Sequence, residues 1–109
     1  MIKSVIKTWG CEYWIVNTDK YCGKIILCEK DKWSSQGKYH YHKNKDETFY
    51  VAKGVLLLDV EGNKIVLQKG DSYRILPNTN HRFMALSKTA EVFEFSTHHE
   101  DGDSYYDRN

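Results

Sequence analysis

One proline, three cysteines, no long apolar run and almost no net charge mark this chain of 109 residues. Each shortage excludes something. A spanning helix needs roughly 18 or more consecutive apolar residues, and the apolar runs here are as short as Val55-Leu-Leu-Leu58. A formal charge of +1, with lysines scattered among acids, builds neither a basic face for nucleic acid nor a patch for an anionic membrane. Met1-Ile-Lys-Ser-Val-Ile-Lys7 lacks the apolar core of a secretory leader, so the expected compartment is cytoplasmic. Cys11, Cys22 and Cys28 are odd in number and form no C-x-x-C pair, which fits free thiols in a reducing compartment. With no repeat, linker or low-complexity stretch, the expectation is one domain over residues 1–109, with a barrel at about 10–97 and a polar, partly ordered tail at 98–109.

A sustained 3.6-residue apolar period is also missing, which leaves room for a helix only as a short N-terminal piece. What is present instead is a series of aromatic and β-branched runs broken by turn residues. They predict strands near 12–17, 21–29, 38–42, 47–53, 55–60, 63–68, 72–76, 81–87 and 90–97. Glu61-Gly-Asn63, between Val55–Val60 and Ile65-Val-Leu67, is the clearest hairpin. Many short strands without helices hide their core and edges by closing or stacking, so the fold class is all-β: an antiparallel barrel or two packed sheets. Side chains alternate along a strand. Parity therefore groups Glu47 with Phe49 and Val51, His81 with Phe83 and Ala85, and Val92 with Glu94 and Ser96 as inward sets. Phe93 and Phe95 then face outward, where the N-terminal strand or a second subunit is expected to cover them.

The chemistry concentrates in Gly37-Lys-Tyr-His40-Tyr-His42-Lys-Asn-Lys45-Asp-Glu47, followed by Gly54 and by Pro77-Asn-Thr-Asn-His81. Histidines at i and i+2 of an extended segment project from one face. With Glu47 and His81 they can supply three nitrogens and one carboxylate, a donor set for a divalent metal with open positions. Lys43 and Lys45 read by composition as a solvated turn. Glu94 is a carboxylate within the apolar run Val92-Phe-Glu94-Phe95, and a charge there needs a partner or a raised pKa. Arg74 and Arg82 are candidates for holding a phosphate or carboxylate, with a surface role the ordinary alternative. His98-His99 before Glu100-Asp101-Gly-Asp103 reads as solvated tail that could also lie over the barrel mouth.

These spacings resemble the two signature motifs of the cupin superfamily, whose fold is a small jelly-roll barrel, the double-stranded β-helix. The leading glycine stands nearer His40 than is usual. The second motif is one residue short and lacks its inner glycine. The resemblance implies His40, His42, Glu47 and His81 as ligands of one divalent transition metal, whether Mn, Fe, Co, Ni or Zn. A narrower resemblance, carried by Thr8-Trp9-Gly10, Ser35-Gln36…His40-x-His42 and Glu94-Phe-Ser-Thr97, is to the sugar isomerases among cupins: type II phosphomannose isomerases and, for Lys45 and Glu94, the D-lyxose isomerases.

That second resemblance implies an aldose–ketose isomerase acting on a small sugar or sugar phosphate, with Glu94 as base and Lys45 as acid, its pKa lowered by the metal and by burial. A homodimer is the expected assembly. The alternatives are a non-catalytic metal-containing carbohydrate-binding or sensor cupin, favoured if Lys45 and Glu94 point away from the metal, and a non-haem iron dioxygenase, which uses the same ligands.

Overall fold

The computed structural model describes residues 2–106. Among them are eleven strands and no α-helix. In chain order they are β1 (Lys3–Lys7), β2 (Gly10–Asn17), β3 (Cys22–Glu29), β4 (His40–Tyr41), β5 (Glu47–Lys53), β6 (Val55–Val60), β7 (Asn63–Gln68), β8 (Ser72–Ile75), β9 (His81–Ala85), β10 (Thr89–Ser96) and β11 (Tyr105–Tyr106). Two antiparallel sheets face each other, one ordered β1-β2-β3-β10-β5-β8 and the other β11-β4-β9-β6-β7. These are the two packed sheets that the strand pattern allows and the jelly roll that the resemblance implies. No helix is long and apolar enough to cross a membrane among the described residues.

Both ends hold more structure than the strand pattern assigned. Where a short helix had room, residues 3–7 form strand β1, paired with β2 from Lys3↔Trp14 to Lys7↔Gly10. The alternation of Lys3, Val5 and Lys7 with Ser4 and Ile6 has no helical stripe, and an adjacent strand edge was waiting to be paired. The supposed tail is ordered too. Residues 101–103 form one tight turn and β11 pairs with β4, Tyr105 stacking on Tyr41 with ring centroids 5.4 Å apart. Residues 107–109 of that tail lie outside the described residues.

The chain crosses between sheets at Gly54, which joins β5 to β6 in a left-handed conformation (φ 79°). A Cβ there would lie 2.3 Å from the Thr89 carbonyl oxygen, so only glycine permits this corner. At the β6–β7 hairpin, Glu61 and Gly62 have φ of 52° and 87°, the two positive values that a tight hairpin turn requires.

Inward side chains grade from polar to apolar along the barrel. Across β3, β10 and β5 the registers set Cys22–Ser96–Glu47 in one row, Lys24–Glu94–Phe49 in the next and Ile26–Val92–Val51 in the third. The apolar end, with Leu56, Leu58, Ala85 and Ala90, is fully buried. It supplies the rigid floor on which the polar end stands. Phe93 and Phe95 face outward as parity requires. Strand β1 lies at the far edge of the same sheet and does not cover them, and Phe95 is 57% exposed. The three cysteines are free thiols, and Cys22 and Cys28 are both buried on the inner side. Burial pushes the Cys28 thiol up to about 12, so it packs as a small apolar group.

Candidate metal centre and its cavity

His40 on β4 and His81 at the start of β9 are directly paired across the sheet. His42 follows β4, and Glu47 opens β5. The Pro77–His81 loop is tied to the first motif by the Asn78 amide, which donates to the His42 carbonyl at 2.6 Å. Asn78 itself is left-handed (φ 65°), one of the few non-glycine types that tolerate this. It accounts for the missing inner glycine of the second motif. His40, His42 and His81 each bring a ring nitrogen to within 4.8 Å of the others.

The polar atoms at this point fit a cation. Nδ1 of His42 donates to the Asp103 carbonyl and Nδ1 of His81 to the Thr79 carbonyl, both at 2.9 Å. A carbonyl only accepts, so each Nδ1 carries the hydrogen and each Nε2 presents a lone pair. His42 Nε2 lies 3.1 Å and His81 Nε2 3.9 Å from Glu47 Oε2. Lone pairs and an anionic oxygen thus converge without a donor between them. His40 Nδ1, His81 Nε2 and Glu47 Oε2 are buried and have no hydrogen-bond partner among the described residues. Buried polar groups are ordinarily paired, and a bound cation is what satisfies such a set. Burial holds His40 well below the ordinary histidine range and lowers His81, keeping both rings neutral. Burial opposes ionisation of Glu47, yet its polar surroundings, the Lys45 ammonium among them, outweigh it and hold the carboxyl below its usual range. Neutral imidazoles and a carboxylate are the protonation states metal binding requires.

His40, His42 and Glu47 line a cavity of about 320 Å³ that also receives Trp9, Glu12, Trp14, Lys24, Lys45, Glu94 and His99. Lys45 Nζ donates to Glu94 Oε2 at 3.0 Å, both side chains buried. The partner that Glu94 needs is therefore Lys45, and Lys45 is no solvated turn residue. Burial pushes the Lys45 ammonium down, but Glu94 and Glu47 together carry it above the ordinary lysine value.

Lys24 and His99 in this cavity, and Asp103 behind it, have contacts that the sequence reading did not assign. Lys24 is 3% exposed, 3.9 Å from both Glu12 and Glu94, with its Nζ 4.1 Å from the centre of the Trp14 ring. Its signal was legible: a lone charge in Cys22-Gly-Lys24-Ile-Ile, on the same parity as Cys22 and Ile26. His99, read as solvated tail, instead accepts at Nδ1 from Lys24 and Lys45, both at 3.2 Å. Burial, then the two ammoniums, depress it to about 4. Asp103, read as acidic tail, is 4% exposed and accepts from the amides of Lys43, Asn44 and Lys45. The arginines are outside the cavity. Arg74 is paired with Asp46 through two hydrogen bonds at the surface. Arg82 donates to buried Asp59 at 2.9 Å and stands over Trp33 and Tyr39, clamping the segment that leads to His40. Trp9 is core, edge-on to Phe83.

A small antiparallel jelly roll with a three-histidine cluster at one end of its interior defines a recognisable class of protein. Residues 31–96 match the Cupin domain family, and the chain belongs to that family. It is 32% identical over 110 residues to the D-lyxose/D-mannose isomerase of Thermosediminibacter oceani, covering 79% of this chain and 61% of that protein. It is 31% identical over 121 residues to the D-lyxose ketol-isomerase of Thermofilum sp., covering 85% of this chain and 66% of that protein. The chain thus spans somewhat less than two thirds of the length of these relatives. Among solved structures, KdgF from Halomonas sp. superposes with a TM-score of 0.75 at 22% identity, covering 84% of this chain and 81% of that one.

Proposed function

We propose that this cupin is a metal-dependent aldose–ketose isomerase acting on a small sugar or sugar phosphate. The observation that carries the reading is the buried Lys45–Glu94 pair, which lines the same cavity as His40, His42 and Glu47. A purely binding cupin has no need of a buried ammonium–carboxylate pair beside its metal ligands. The names of the two isomerase relatives support the same choice.

His40, His42, Glu47 and His81 would hold the metal. When bound, a divalent cation supplies Lewis-acid polarisation of the sugar carbonyl and a template for the neighbouring hydroxyl. Glu94 takes the proton from the hydroxyl-bearing carbon beside the carbonyl and delivers it to the former carbonyl carbon. Lys45 Nζ moves the matching proton from the hydroxyl oxygen to the carbonyl oxygen, so one C–H and one O–H are lost and regained and no redox partner is needed. The apolar floor of Phe49 and Phe83 and the buried Trp9 exclude water from that exchange. The test is incubation with a panel of aldoses, ketoses and their phosphates in D₂O with Mn²⁺, read by NMR. Deuterium entering at the carbon next to the carbonyl, with metal near one equivalent, is the expected result. Metal binding without exchange would reject catalysis and leave a binding protein.

The same reading includes a homodimer built on the outer face of the six-stranded sheet. Tyr13, Ile25, Phe93 and Tyr50 form one uncharged row across four strands, with exposed Phe95 beside it. A face that must pair with itself cannot carry one sign of charge, and this row carries none. Phe95→Ser should shift the protein from dimer to monomer in light scattering; a wild-type monomer would reject the assembly.

A further inference from the structure

The segment after β10 contributes more than a cover. Asp103 sits in the turn at 101–103 with both of its oxygen-bearing groups turned toward the 42–45 segment. Its carboxylate accepts three successive backbone amides: Lys43 at 2.9 Å, Asn44 at 3.1 Å and Lys45 at 3.1 Å. Its carbonyl accepts Nδ1–H of His42 at 2.9 Å. Three consecutive amides on one buried carboxylate form a rigid nest, and they precede β5 by the length of one turn. The residue thereby fixes two things at once, the tautomer of His42 and the path of the backbone that carries Lys45.

We infer that Asp103 is a positioning residue for the centre, holding the His42–Lys45 turn so that His42 Nε2 and the Lys45 ammonium face the cavity together. The inference rests on the functional reading above for its metal part. Strand β11 supports it from behind: Tyr105 and Tyr106 pair with Tyr41 and His40, so the chain on both sides of His42 is held by the same C-terminal segment. A sequence of charged residues that looks like solvated tail is here an internal brace.

The test is Asp103→Asn in the full chain. The substituted amide keeps one accepting oxygen but turns an NH₂ donor toward amides that are themselves donors, while the main-chain carbonyl on His42 is unchanged. Two readouts apply, neither of which depends on turnover. Hydrogen exchange of the Lys43, Asn44 and Lys45 amides should quicken at least ~10-fold, with the β3 and β10 amides unchanged. Zn²⁺ affinity of the apoprotein, measured by chelator competition, should weaken by about 10-fold, because a loosened 43–45 turn no longer keeps His42 Nδ1–H on the Asp103 carbonyl. Exposed Glu100→Gln is the control and should move neither. Should Asp103→Asn fail to fold, Asp103→Ser, whose hydroxyl can still accept one amide, is read by the same two measurements. Amides that exchange as in the wild type, or an affinity within about twofold of it, would overturn the inference. A wild-type chain that takes no Zn²⁺ would overturn the functional reading as well, a result distinct from unchanged affinity in the variant.

Discussion

Residues 40–47 and residues 98–103 serve one cavity, yet as sequence they have little in common. The first is a compact pattern in which every spacing reports geometry: His40 and His42 share a strand face, and Glu47 opens the next strand. The second is a run of polar residues with no period, and its members reach the site through a turn that closes on a segment some sixty residues away. The difference is one of contact range. Parity along a strand is a local property and can be read from residue types. The packing of a terminal segment against a distant turn cannot, because nothing in His98–Asp103 says which backbone amides its carboxylates will meet.

Breaking the first region should have the largest effect. His42→Gln removes a proposed ligand whose lone pair is already aimed at Glu47 by the Asp103 carbonyl. Metal content should fall from about one equivalent to a small fraction, and sugar-dependent deuterium exchange should disappear with it. Retained metal at the wild-type level would show that His42 is structural. Glu94→Gln addresses the acid–base pair alone. Exchange should drop by ~10²–10⁴, the span of one general acid–base group, while metal content stays the same. Metal lost together with activity would give Glu94 a different role.

How far the sequence could be read follows the same division. The nine expected strands all exist, each with both ends within two residues of its expected limits, because hydrophobic alternation is set by which face is buried. The inward sets around Glu47, His81 and Glu94 are buried as parity requires, Ser96 at the rim being half-buried. Strands β1 and β11 were missed because they lie at sheet edges, where one neighbour suffices and the apolar pattern is weak. Lys24 could have been found, since a lysine on the inward parity of an apolar strand must meet a partner. His99 could not, because its role depends on where Lys24 and Lys45 both end.

Sharpening the comparison calls for variants in the residues that bridge the two regions. Lys24→Met removes the ammonium that shares His99 Nδ1 with Lys45. His99 then holds Lys45 alone, and Glu12 and Glu94 lose a nearby cation. A hydrogen bond from a charged donor is worth about 1.5–3 kcal/mol, so kcat/KM should fall by roughly 10-fold or somewhat more, with metal content unchanged. An unaltered kcat/KM would place Lys24 outside the working cavity.

The smallest effect is on stability and belongs to His99. In the fold its pKa lies at about 4, depressed by burial and by Lys24 and Lys45, whereas an unfolded histidine titrates near 6.5. Between those values the unfolded chain binds more protons than the folded one, so stability falls as pH falls. The contribution is fully present above pH ~6.5, declines toward pH ~4 and levels off below it, a loss on the order of 3 kcal/mol if the whole shift is realised and less once solvent screening is counted. His99→Gln keeps an acceptor for the two ammoniums but cannot take up that proton. In metal-free protein, urea midpoints measured from pH 7.5 to 4.5 should decline less steeply for His99→Gln than for the wild type. His40 and His81, also lowered by burial, titrate in both proteins and cancel in the difference. Equal slopes would mean that His99 is free to protonate in the folded chain and that the bridge between Lys24 and Lys45 does not persist in solution. A shallower slope for the variant would establish that the C-terminal segment is held in the cavity by a histidine whose neutral form the fold requires.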